Sequence, residues 1–171
     1  MIKLIKSPNT ILKSKASDWV FISQQDYDNA EHVEREMIEI MQTNNGRGLA
    51  ANQVGLLSRV FVIQLVGEEP KAMFNPRVLS TSDNLVLGEE GCLSFPDLWL
   101  DVKRPKSITA AYLDKTGKEC IIELSDINAR CFLHELDHLD GVCFTDKVGA
   151  IKLAMAIKKQ KQKQKKRKYN G

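Results

Sequence analysis

Within the stretch from Cys131 to Gly141, two histidines, His134 and His138, stand four residues apart with Glu135 beside the first. On a helix that spacing puts both imidazoles on one face, one above the other. Imidazoles so placed can grip one metal ion, and the neighbouring carboxylate can handle the proton of a water that the ion activates. The bland alternative is a buried helix whose histidines only hydrogen-bond within the core. The His-Glu-x-x-His pattern on an otherwise apolar helix argues against it.

Two histidines do not complete a catalytic centre, which takes three protein ligands and a water. In His-Glu-x-x-His metallopeptidases the third ligand is a downstream His or Glu, and the chain after His138 has neither. Asp140 falls on the turn after the helix, and Asp146 is the remaining downstream acid. Cys131 shares the face of both histidines, but 131 to 138 spans about 10 Å of helix, too far for convergent bonds of about 2.0–2.3 Å. It reads as a pocket-lining thiol. Cys120 and Cys143 sit in strand-like apolar runs and read as core residues. Cys92, held between Gly91 and the backbone that ends at Pro96, is the best third ligand. That gives a Cys-His-His set with one open position.

The elements that must position these groups follow from pattern. Residues 1–22 read as an extended arm broken by Ser7-Pro8-Asn9 and Ser17-Asp18. Ser23 and Asp26 cap a helix whose stripe is Tyr27, Ala30, Val33, Met37, Ile40 and Met41, leaving His32 in solvent. Asn44-Asn45-Gly46 ends it. The glycine-rich run Gly46 to Gly55 reads as a turn, with no match to a phosphate loop or dinucleotide fingerprint. Val60 to Val66 is a buried strand, Asn75-Pro76 a break, and Leu85 to Gly88 a short strand. Ser107 to Leu113 and Glu119 to Leu124 form a hairpin about Asp114-Lys115-Thr116-Gly117. Ser125 or Asp126 caps the His134 helix and Gly141 stops it. Val142-Cys143-Phe144 reads as a closing strand before a last helix near Gly149.

At 171 residues, 43% hydrophobic and 27% charged, the chain has the size and composition of one globular domain. No apolar stretch is long enough to cross a bilayer, and no signal peptide opens the chain. The four cysteines show no disulfide-framework spacing, so the expectation is reduced thiols in a cytoplasmic protein. A net charge of +3 hides an asymmetry: Lys158 to Lys168 carries eight basic residues and no acid, leaving 17 basic against 22 acidic elsewhere. Such a run is either a solvated helix end or an electrostatic attachment to RNA or another polyanion.

Three motifs together, Gly46-Arg47-Gly48-Leu49-Ala50-Ala51-Asn52-Gln53, Glu90-Gly91-Cys92-Leu93-Ser94 and His134-Glu135-Leu136-Asp137-His138, closely resemble peptide deformylase. The resemblance runs from about Ile2 to Phe144. It implies an α+β fold, antiparallel strands around the central metal-binding helix, with a C-terminal helix after it. Residues 1–150 would be a single catalytic domain and 151–171 a helix with a basic tail. The implied activity is removal of the formyl group from N-formylmethionyl nascent peptides, with ferrous iron as the usual ion and zinc a substitute. Cys92, His134 and His138 would bind the metal, and Glu135 would be the acid/base. The Gln53 amide and the Leu93 N–H would stabilise the oxyanion. Gly48 would pair with substrate backbone, and Ile127 and Cys131 would line the methionine pocket. Glu90 and Arg104 match an ion pair that braces the cysteine loop. Arg47, Leu133 and Asp97-Leu98-Trp99 depart from the commonest pattern without touching the metal set. A monomer with ribosome contact through the tail is expected. The rivals are a zinc peptidase acting on internal bonds and an inactive ribosome-binding relative.

Overall fold

The computed structural model describes residues 2–169. Its helices are α1 (Gln24–Thr43), α2 (Asp126–Leu139) and α3 (Ala150–Tyr169). Its strands are β1 (Gly48–Ala50), β2 (Val60–Ile63), β3 (Lys71–Thr81), β4 (Leu85–Cys92), β5 (Phe95–Pro105), β6 (Ser107–Leu113) and β7 (Glu119–Ser125). Strands β1-β2-β3-β6-β7 form one sheet and β4-β5 a separate ribbon, every pairing antiparallel. The class is α+β, as expected from the resemblance.

Strand β2 shows why α2 ends up at the centre. All four of its side chains are buried, so its two faces must both be covered. Val60 and Val62 pack with Met37 and Met41 of α1. Phe61 and Ile63 face the other way, with Phe132 and Leu139 of α2. The Phe61 and Phe132 rings meet edge to face at 5.2 Å. Each of these large side chains contributes roughly 1.5–3 kcal/mol by leaving water. Helix α1 starts as its sequence indicates, the Asp26 carboxylate accepting the Ser23 and Ile22 N–H groups at 2.8 and 3.1 Å, and His32 is exposed. Gly141 ends α2 with φ +73, where a Cβ would lie 2.5 Å from the Lys13 carbonyl. Only glycine fits both demands.

Several expectations need correction. Asn75-Pro76 does not break the chain; β3 runs through it as a bulge, its register jumping from Phe74 opposite Leu113 to Arg77 opposite Ala111. Proline has no N–H for the ladder, and the bulge is where a strand can carry one. The Asn75 side chain accepts the Trp19 N–H at 2.7 Å and donates to its carbonyl at 2.8 Å, pinning the N-terminal arm. Val142-Cys143-Phe144 is not a strand: a 3₁₀ turn occupies Phe144–Lys147. The Asp146 carboxylate caps that turn by accepting the Cys143 N–H at 2.8 Å. Cys120 is only half-buried, because β7 is a sheet edge. Residues 46–55 are not one turn but β1 followed by a 3₁₀ helix at Ala51–Val54.

The ribbon is the largest element the pattern understated. The expected Leu85–Gly88 strand continues to Cys92, and its partner β5 hides among Pro96, Asp97, Asp101 and Lys103. Strict alternation is nonetheless there: Leu98, Leu100, Val102 and Arg104 are buried and the residues between are not. The three apolar ones pack against Phe144 and against Leu153, Ala156 and Ile157 of α3. Helix α3 is further held where Lys152 donates to the Asp101 carbonyl at 2.7 Å and Gln160 to the Pro96 carbonyl at 2.6 Å. Beyond that, Lys161, Lys163 and Lys165 point into solvent; the side chains of the remaining basic residues lie outside those described. No helix among the described residues is long and apolar enough to cross a membrane.

The bulge gives a testable consequence. Asn75 has φ +47, which asparagine tolerates better than alanine. Asn75→Ala loses both Trp19 hydrogen bonds and keeps the strained backbone, so we expect it to destabilise the fold by about 2–3 kcal/mol. Asn75→Gly should lose less. Urea unfolding of the two variants measures both, and equal losses would show that the backbone angle is immaterial.

Candidate metal centre

Side chains alternate along a strand, so Gly88, Glu90 and Cys92 share one face of β4. Residues four apart share one face of a helix, so Arg130, His134 and His138 do so on α2. Two residues of strand span about 6.7 Å and four of helix about 6 Å. The two rows therefore meet rung by rung. Arg130 Nη1 donates to the Gly88 carbonyl at 3.2 Å. His134 Nδ1 lies 3.0 Å from Glu90 Oε2. Cys92 Sγ lies 3.2 Å from His138 Nε2.

The last two rungs make the candidate site. One ligand atom from each of Cys92, His134 and His138 lies within 4.8 Å of the others, close to the spread that bonds of about 2.0–2.3 Å to one ion require. With Nδ1 engaged by Glu90, His134 has Nε2 left for an ion, the usual carboxylate–histidine–metal arrangement. One thiolate with two imidazoles is a donor set that suits iron or zinc. The Asp146 rival does not join them; its carboxylate pairs with Lys13 and caps its own turn. Asp140 pairs with Arg59 at 2.6 Å.

Glu90 is buried and saturated. Its Oε1 accepts from Arg104 Nε at 2.8 Å and from Arg130 Nη1 at 2.7 Å. Its Oε2 accepts from Arg104 Nη2 at 2.9 Å besides meeting His134. Burial raises the Glu90 pKa, but the bonds and charges of Arg104 and His134 outweigh it and hold the carboxyl at about 2. Arg104 reaches on to Asp137 at 2.6 Å, and Asp137 to Lys147 at 2.9 Å. Burial disfavours a proton on His134, yet its bonds to Cys92 and Glu90 bring its pKa to about 10. Burial and the His134 charge keep His138 well below the usual imidazole value. An ion held by this set would displace a proton.

Glu135 lies where chemistry could use it. Its Oε2 is buried and unpartnered, and burial, with the Glu90 charge, lifts the carboxyl to about 7 against the pull of His134. It stands on Gly48: a Cβ there would sit 2.3 Å from Glu135 Oε1. The Gln53 amide is fixed in orientation. Its Oε1 accepts the Ala50 N–H at 2.8 Å, which turns Nε2 toward Cys92 Sγ at 3.3 Å and Ser94 Oγ at 3.0 Å. A cavity of about 540 Å³ opens onto this group. Gly48, Gln53, Cys92, Leu93, Ile127, Cys131, His134 and Glu135 all line it, while His138 lies fully buried behind. Burial, helped by the Glu135 charge, pushes the Cys131 thiol up, so it is neutral. Of the unusual residues, Arg47 lines the cavity and Leu133 packs into the main core instead.

Three contributors were not assigned to the site from sequence, although Trp99 lies in a segment that departs from the commonest family pattern. Arg130 had a signal, a cation four residues before His134 on an apolar helix. Trp99 forms a cavity wall, its ring so close to Gly91 that a Cβ there would lie 2.9 Å away. The N-terminal arm had none, because it acts through backbone. Ile5 N–H donates to the Gln53 carbonyl at 2.7 Å and Ser7 N–H to the Ser94 carbonyl at 2.8 Å, tying together the two segments that carry Gln53 and Cys92.

A family model described as Polypeptide deformylase matches residues 1–154. A curated peptide deformylase of Agrobacterium fabrum is 39% identical over 160 residues, covering 91% of this chain and 92% of its own. One of Rhizobium meliloti is 41% identical over 128 residues, covering 72% and 74%. Among solved structures, a peptide deformylase from Legionella pneumophila matches with a TM-score of 0.86 at 29% identity, covering 100% of this chain and 99% of its own. The Synechococcus elongatus peptide deformylase in complex with actinonin matches at 0.83 and 34% identity, covering 93% and 85%.

Glu90 titrates at about 2 here against 4.5 for a free glutamate. A lowered carboxyl pKa contributes stability that is complete above the free value and lost as pH falls through the folded one. We therefore expect the stability gap between the unaltered chain and Glu90→Gln to be widest at neutral pH. It should close between about pH 4.5 and pH 2. Urea midpoints across that range test it; a gap independent of pH would mean that Glu90 acts by shape and not by charge.

Proposed function

The chain belongs to the polypeptide deformylase family, and from that premise we propose that Cys92, His134 and His138 hold one divalent ion while Glu135 carries protons beside it. The enzyme removes the N-formyl group from the N-terminal formylmethionine of newly synthesised polypeptides, releasing formate. The observation that carries the residue roles is the convergence of thiol and two imidazoles in the cavity where the unpartnered Glu135 oxygen is buried. Ferrous iron is the native ion in this reading and zinc a substitute; thiolate with imidazoles accommodates both.

Bound, the ion supplies Lewis acidity and a water acidic enough to lose its proton near neutral pH. The rest falls to this chain's own residues. Glu135 takes the proton from the attacking water and delivers it to the departing amine, a task for a buried carboxyl whose Oε2 has no other partner. The Gln53 amide and the Leu93 N–H donate to the formyl oxygen as it gains charge, and one such donor is typically worth about 10²–10³ in turnover. Gly48 aligns the substrate backbone against β1. Ile127 and the neutral Cys131 take the methionine side chain, whereas a charged side chain there would be buried without a partner.

Residues 1–150 are the catalytic domain in this reading, and 151–171, of which 170 and 171 lie outside the described residues, a helix with a basic tail that contacts the ribosome. The protein acts as a cytoplasmic monomer on nascent peptides. The internal-bond peptidase lacks support because Asp146 is engaged elsewhere. The inactive relative is disfavoured because a purely structural metal needs neither Glu135 nor Gln53.

Two experiments test these roles. Cys92→Ala and His138→Ala should lose metal, whereas Glu135→Gln should keep it and lose at least about 10²-fold in kcat for formate release. Full metal occupancy in Cys92→Ala would overturn the ligand assignment. Truncation after Gln160 spares the packing residues Leu153, Ala156 and Ile157. It should leave turnover of short formyl-Met peptides intact and weaken ribosome binding in a salt-sensitive way. Undiminished binding at low salt removes the tail from the contact.

A further inference from the structure

Arg130 is 9% exposed, and the two terminal nitrogens of its guanidinium meet four acceptors. Nη1 reaches Glu90 Oε1 at 2.7 Å, the Val102 carbonyl at 2.8 Å and the Gly88 carbonyl at 3.2 Å; Nη2 reaches the Val86 carbonyl at 2.8 Å. Three of those acceptors are ribbon backbone, which a rivet between α2 and the β4-β5 ribbon would explain. The fourth is not backbone. It is the carboxylate that meets His134 Nδ1, and Arg130 lies one helical turn before His134. Arg104 also grips Glu90, through two parallel bonds, but it comes from β5 of the same ribbon. Arg104 therefore fixes Glu90 within the ribbon and reaches α2 only through Asp137, whereas Arg130, itself on α2, ties the carboxylate directly to the helix that carries the imidazoles.

We propose that Arg130 is a positioning residue for His134: by tying Glu90 to α2 it sets the place at which the carboxylate meets Nδ1, and so the Nε2 lone pair offered to the ion. The inference rests on the metal-centre reading above. Gly88 completes the device. A Cβ there would lie 2.8 Å from Arg130 Nη2 and 2.9 Å from its Cζ, so the guanidinium lies flat on bare backbone. Arg104 orients the carboxylate within the ribbon, and Arg130 sets its place against the turn of α2 before His134.

The test measures Zn²⁺ affinity of the folded chain by competition with a chromophoric chelator, alongside kcat and KM. Arg130→Met keeps length and removes the bonds. It should weaken Zn²⁺ binding by about 10-fold or more, the usual effect of losing a partner behind a metal ligand, and lower kcat more than it raises KM. On a Glu90→Gln background the same substitution should change affinity by less than about threefold, since the path through the carboxylate is already cut. Gly88→Ala keeps every charge, displaces the guanidinium, and should weaken binding in the same direction; Arg130→Lys should recover part of the loss. Unchanged Zn²⁺ affinity in Arg130→Met, with a lower unfolding midpoint as its only effect, would falsify the proposal and leave Arg130 a rivet. If Arg130→Met does not fold, Gly88→Ala and Arg130→Lys decide, and unaltered affinity in both overturns it. Cys92→Ala and His138→Ala run in parallel: unaltered affinity in those two means that the ligand set itself is wrong, a failure distinct from that of Arg130.

Discussion

A carboxylate taken out of water loses several kilocalories per mole of hydration, more than a single ion pair returns unless its remaining lone pairs are also satisfied. Glu90 is such a carboxylate, and β4, β5 and α2 are joined around the need to satisfy it. Two arginines and a histidine fill its acceptor positions, and Asp137 balances the second arginine charge. Two carboxyl groups thus stand against two guanidinium groups. The cluster also joins the ribbon to the helix: removing one partner in place would leave the others buried and uncompensated.

Around that anchor the site divides its chemistry among elements of different stiffness. Helix α2 holds both imidazoles and Glu135, so the spacing of their backbone positions is set by helix repeat. The thiol arrives on a hairpin end, where position depends on tertiary contacts. The Gln53 amide arrives on a 3₁₀ turn and is fixed by one backbone N–H and one hydroxyl. The N-terminal arm joins those two less rigid parts through Gln53 and Ser94 carbonyls, an order of support that matches where support is lacking.

How much of this was legible depended on whether the signal was local. His134, Glu135 and His138 declare themselves by helical spacing, and the order of helices and the β6-β7 hairpin followed from period and turn chemistry. Cys92 was reached by eliminating its competitors, since nothing near it in sequence fixes its partners. The β5 strand escaped because charged residues occupy its outer face so densely that the inner row of Leu98, Leu100, Val102 and Arg104 reads as noise until the alternation is counted. Arg130 and the arm escaped for another reason. Their partners are backbone carbonyls and a carboxylate some 40 residues away, and no single-sequence pattern encodes such a contact.

The pairing of Gly88, Glu90 and Cys92 with Arg130, His134 and His138 works like a vernier. Strand and helix advance by steps that differ by about 0.7 Å per rung, so alignment is good for three rungs and would drift over many more. An added residue within the strand turns every later side chain to the opposite face, and one within the helix rotates them by about 100°. Length changes are thus forbidden between 88 and 92 and between 130 and 138, whatever their effect on burial. Loops that merely connect, such as the Asp114–Gly117 turn, carry no such constraint. Insertions and deletions in chains that share this centre should therefore sort by a rule of commensurate steps, not by distance from the metal.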